Sequence, residues 1–105
     1  MNRIEFMQSI IRKSNRSMVD DLIDFFDHEM LLYELIGSAN NTVTVTRTTA
    51  KNISFHIDAD KNDISYLDNH LFSVCATPLV QYDRPLAVKY NVTSDKSIDI
   101  TITTI

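Results

Sequence analysis

Three groups of residues in this 105-residue chain have types and spacings that chemistry uses. His56, Asp58 and Asp60 stand at i, i+2 and i+4, which is one face of a strand if the strand reaches that far, and Asp63, Asp68 and His70 follow closely. Imidazole and carboxylates so grouped suggest a zinc or manganese site, with His56, Asp58 and His70 as its ligands. Asp58, Asp60 and Asn62 also match the first three ligand positions of an EF-hand calcium loop. Asp63 then stands where the turn glycine belongs and Asn69 where the bidentate glutamate belongs, so the calcium reading fails. A simpler reading makes the segment a polar strand face that runs into a helix cap. On that reading no metal is assigned.

Glu29 is the second case. On a wheel of about 100° per residue it falls about 180° from Asp20, among Leu22, Phe25, Phe26 and Ile36. A carboxylate on that apolar face has to be paired or protonated, because burying it alone is strongly unfavourable. Arg12, Lys13 and Arg16 are the nearest basic residues in the chain. Glu29 could serve as a general acid or base. No partner set of a catalytic kind lies near it in sequence, so an ion pair to Arg12 or Arg16 of the preceding helix is the expectation, and no catalytic residue is assigned.

The third group is a stripe. Asp20, Asp24, Asp27 and Glu34 fall within about 40° of one line on the same wheel, with Leu31 among them. Carboxylates three or four residues apart on a helix are neighbours, and the stripe could be no more than a wet face. Leu31 raises it above that, since an apolar residue amid acids is what an interface anchor looks like. Asp20, Asp24, Asp27, Leu31 and Glu34 are therefore the expected partner-binding residues, and the expected partner is a protein with a basic surface. Asp24 and His28, at i and i+4, read as a surface contact. Cys75 is the single cysteine. It cannot form an intramolecular disulfide, and with Leu71 and Val74 beside it the expected role is core packing. One glycine in the whole chain argues against the phosphate-cradling loops. No cofactor is expected.

The elements that must position these residues follow from hydrophobic period. Asn2 with Glu5 reads as a helix start, and Ile4, Met7, Ile10 and Ile11 recur at helical spacing, which predicts a helix over about residues 3–14. Ser17 with Asp20 opens a second helix that runs to about Ile36, with Gly37 as a left-handed C-cap. After Asn41 the period becomes 2. Val43 and Val45, then Ile53, Phe55 and Ile57, alternate with polar residues and predict a hairpin. Ile64, Leu67, Leu71 and Val74 predict a third helix started by Asp60, Asn62 or Asp63. Residues 76–85 hold both prolines and read as a loop. Leu86 to Val92 and Ile98 to Ile102 predict a second hairpin, turned at Ser94, Asp95 and Lys96. The fold class is α+β: two N-terminal helices, then two β-hairpins separated by a short helix, forming a four-stranded, mainly antiparallel sheet with helices on one face. The length suits one domain.

Composition narrows the function classes. The net charge is −4 and the pI near 5.1, which argues against direct nucleic-acid binding by phosphate neutralisation. Residues 17–37 carry six acidic residues and no Lys or Arg, so the charge asymmetry sits where the stripe is. No N-terminal run resembles a signal peptide and no apolar run approaches the roughly 20 residues of a membrane span, which predicts a cytoplasmic protein without membrane contact. The triplets beginning at Asn15, Asn40, Asn52 and Asn91 then carry no sugar. Twelve Ile and eight Asn beside one Gly are a bias common in AT-rich genomes, phages among them. The expected function is that of a small non-enzymatic binding protein, a phage- or mobile-element-encoded modulator or inhibitor acting through its acidic helix. Two alternatives are a structural subunit that forms a homodimer through a C-terminal edge strand over residues 98–105, and a small metal-dependent or acid-base enzyme.

Overall fold

The computed structural model describes residues 3–12, 16–49, 51–76 and 86–104. Helices α1 (Arg3–Ile11), α2 (Arg16–His28) and α3 (Met30–Gly37) precede strands β1 (Thr42–Thr48) and β2 (Asn52–Asp58). Helix α4 (Lys61–Ala76) and strands β3 (Leu86–Ser94) and β4 (Ser97–Thr104) follow. The α+β order read from the periodicity is the order observed, with one helix divided in two. The expected loop over residues 76–85 lies almost wholly outside the described residues.

The four strands form one antiparallel sheet in the order β1-β2-β4-β3. Register places Val45, Phe55, Ile100 and Tyr90 in one row across it, with Val43, Ile57, Ile98 and Val92 in the next such row. Because side chains alternate along a strand, these rows face the helices and the intervening Thr, Ser, His and Asp rows face solvent. Ile53, Phe55, Ile57, Ile98, Ile100 and Ile102 are buried accordingly. Each edge strand carries a bulge, between Val45 and Arg47 in β1 and between Val92 and Ser94 in β3. Bulges of this kind break the regular edge that another chain would pair with. The C-terminal strand is thus not an edge. β4 is hydrogen-bonded on both sides, to β2 and to β3, which removes the basis for a dimer formed through it.

Helix α1 buries Phe6 and Ile10 and leaves Ile4 70% exposed. The phase expected from Ile4, Met7, Ile10 and Ile11 is therefore rotated, and Phe6 decides it. Its ring meets Phe55 of the sheet edge-on at 5.2 Å and Phe26 of α2 at 5.8 Å, tying three elements together. Helix α4 presents Ile64, Leu67 and Leu71 to the core as its spacing predicts. Asp60 caps it, since the Asp63 N–H donates to Asp60 Oδ1 at 2.8 Å.

The expected continuous helix over Ser17–Ile36 breaks at Glu29, whose backbone sits at φ −107°, ψ 57°. The bonds on either side survive: the Glu29 N–H donates to the Phe25 carbonyl at 2.8 Å and the Tyr33 N–H to that of Glu29 at 3.1 Å. One residue leaves helical geometry and the axis bends there. Past the break Met30 is 63% exposed, while Leu32 and Ile36 are buried. Gly37 stays inside α3 with no positive φ. The end of the helix is held instead by the buried Asn41, whose Nδ2 donates to the Leu35 carbonyl at 2.9 Å.

Candidate functional site

The acidic face is distributed over the bent pair α2 and α3. Asp20, Asp27 and Glu34 are exposed and Asp24 is half-buried. Leu31 is half-buried too, so it does not stand in water as an anchor among acids would. The exposed apolar residue of this face is Ile23, 47% exposed, three residues after Asp20 and four before Asp27. Ile23 also closes a cleft of about 60 Å³ whose other walls are Met7, Phe26, Asp27 and Tyr33. Among the described residues, neither Asp20, Asp27 nor Glu34 has a hydrogen-bond or ion-pair partner. Sequence reasoning expected Leu31 as the exposed apolar residue among these acids, whereas the structure half-buries Leu31 and exposes Ile23. The signal for Ile23 was its flank position between Asp20 and Asp27, which a wheel centred on the acidic line passes over.

Glu29 is buried, as the wheel predicts, with a side chain only 6% exposed. The partner the structure gives it is His70 of α4, with Nε2 2.5 Å from Glu29 Oε2. The expectation named Arg12 or Arg16 of the preceding helix, and His70 is a partner it did not foresee. Arg12 is exposed, and the side chain of Arg16 lies outside the description. A histidine 41 residues away is a partner that only the packing of α4 on the helical layer supplies.

His56 occupies the solvent face of the sheet, on the row Thr44, His56, Asp99, Asn91. Its Nδ1 lies 2.5 Å from Asp99 Oδ1 of β4 and its Nε2 3.0 Å from Asp58 Oδ1 of its own strand. The hydrogen bond to Asp99 raises its pKa above the usual histidine value. Partial burial opposes this, and Asp58 adds to it through a second hydrogen bond and its charge. An imidazole with a carboxylate at each nitrogen suits the protonated form, in which both nitrogens donate.

The metal set does not come together. His70 is engaged with Glu29, Asp60 caps α4, and only Asp58 of the expected ligands reaches His56. Among the described residues no three His, Cys, Asp or Glu side chains group so as to hold a metal ion. Asp24 is half-buried on the acidic face, while the side chains of its expected contact His28 and of Cys75 lie outside the description. Comparison with protein-family models, with curated proteins and with solved structures gives no match. Among the described residues no helix is long and apolar enough to cross a membrane.

Proposed function

We propose that this chain is a small binding protein that engages a protein partner with a basic surface through the exposed face of α2 and the start of α3. It acts as a modulator or inhibitor of that partner, without chemistry of its own, in the cytoplasm. The observation that carries the reading is Ile23, 47% exposed between two carboxylates, Asp20 and Asp27, that no described residue neutralises. An isolated apolar side chain on a surface is ordinary. One flanked by charges of a single sign that no described residue neutralises, over a cleft, has the layout of an interface, with an apolar centre that gives affinity and charges that steer and orient.

Exposed charges contribute little to folding, so Asp20→Lys with Asp27→Lys should change stability by less than about 1 kcal/mol. Partner capture by the tagged double variant in native cell extract, set beside capture by the wild type, tests the reading. A protein retained by the wild type and lost with the double variant, the difference shrinking as salt rises, supports it. Equal retention of every captured protein removes the acidic face from the function.

A further inference from the structure

The cleft under Ile23 specifies more than a general acidic surface. It lies where α1 meets the bent helix pair, holds about 60 Å³, and is walled by Met7, Ile23, Phe26, Asp27 and Tyr33. Phe26 and Tyr33 stack across the break at Glu29, their ring centroids 5.0 Å apart and their planes 24° from parallel. That stack fixes the aromatic side of the cleft, because Phe26 is itself buried at 3% exposure. Every described lining residue except one is apolar or aromatic. The exception is Asp27, exposed and without a partner among the described residues.

An occupant has three conditions to meet. Its inserted part must be apolar, to match the walls. It must be small, since 60 Å³ holds about four non-hydrogen atoms at roughly 15 Å³ each. Where it emerges, beside Asp27, it must be positive. Lysine meets all three, because its four-carbon stem lies readily on apolar surface while the ammonium stays in water. Arginine fits less well, since its planar guanidinium is matched to paired acceptors and Asp27 is the single carboxylate among the described lining residues.

We infer that this cleft seats one lysine side chain of the protein partner, with its stem against Met7, Ile23 and Tyr33 and its ammonium on the Asp27 carboxylate. The inference rests on the binding role proposed above and sharpens it. Asp20 and Glu34 attract a basic surface from a distance, whereas the cleft fixes which residue of that surface lands where.

The test uses the full chain with methyl-labelled Met and Ile, titrated with a flexible Ser-Lys repeat peptide and with its arginine and norleucine counterparts. The lysine peptide should shift the Met7 and Ile23 methyl signals and bind more tightly than either counterpart. Asp27→Asn should weaken that binding by up to about fivefold, the upper end for one exposed ion pair, and Asp20→Asn by much less. Ile23→Ala, which removes a wall and no charge, should weaken it as well. Equal losses from Asp27→Asn and Asp20→Asn with unmoved methyl signals would mean diffuse attraction of cations. That outcome overturns the lysine seat and leaves the binding role standing. A norleucine peptide that shifts the same methyls as strongly overturns it in favour of an apolar anchor. No shift from any peptide overturns it outright, and the binding role is then decided separately by partner capture with the Asp20 and Asp27 double variant.

Discussion

Oε2 of Glu29 and Nε2 of His70 lie 2.5 Å apart, joining the one non-helical residue of the α2–α3 pair to the middle of α4. The two members stand in unequal surroundings, the carboxylate side chain 6% exposed and the imidazole 33%. The bend that a helix wheel cannot foresee is where the carboxylate meets its partner. Kinks usually trace to proline, to Gly/Ser pairs or to an inserted group, and residues 25–33 contain neither proline nor glycine. No breaker in the local sequence accounts for the break, and the residue that leaves helical geometry is the one whose carboxylate meets His70.

Unequal burial makes the pair's mutants unequal. His70→Ala deprives a buried carboxylate of a partner and should lower stability by about 1–3 kcal/mol. Glu29→Leu leaves a half-buried imidazole that can reach water, so it should cost less. The double variant Glu29→Leu, His70→Ala should resemble the Glu29→Leu single. Urea unfolding of the three variants reads this directly, and a His70→Ala variant as stable as wild type would show that the contact does not matter to folding.

His56 gives the pH dependence. Its pKa in the folded chain is raised, first by the hydrogen bond to Asp99, so folding favours its protonated form. The stabilisation is fully present below the unfolded value of about 6.5 and is lost as pH rises through the folded pKa. The gain should stay within about 1 kcal/mol, because the side chain is 28% exposed and its partners about half exposed. Asp99→Asn should return the His56 titration, followed by NMR, towards the ordinary value and flatten stability between pH 6 and 8. An unchanged titration in Asp99→Asn would mean that the bond is not formed in solution.

What the sequence made legible was period, and period is local. The switch from helical spacing to alternation at Asn41, the two hairpins, the capping aspartate at the start of α4 and the burial of Glu29 all follow from neighbours within a few residues. What it hid depends on partners far along the chain. Ile4 and Phe6 both lie on acceptable helical faces, and only Phe26 and Phe55 show that Phe6 is the buried one. His56 and Asp99 were each readable as solvent-facing, yet their meeting needs the β2–β4 register, which no alternation pattern encodes. Leu31 lies beyond the break at Glu29, where α3 no longer follows the wheel of α2, and it is half-buried instead of exposed.

Strand order gives the remaining prediction. The run of residues 98–105 reads as a flat, Thr-rich edge, yet β4 lies between β2 and β3. A strand paired on both sides has its amides bonded in both directions, whereas in β1 and β3 those facing outward have no neighbouring strand among the described residues. Amide hydrogen exchange should therefore be slowest and most uniform in Ile98, Asp99, Ile100, Thr101 and Ile102, and should alternate fast and slow along β1. Mutation follows the same division. Ile100→Ala, at a fully buried position in the middle of β4, should cost about 2–5 kcal/mol, while Val92→Ala, 38% exposed on an edge strand, should cost less than about 1. Fast exchange along β4 together with a mild Ile100→Ala would return that strand to the edge and reopen it as a pairing surface. Slow exchange leaves β1 and β3, each interrupted by a bulge, as the edges through which a second copy could add.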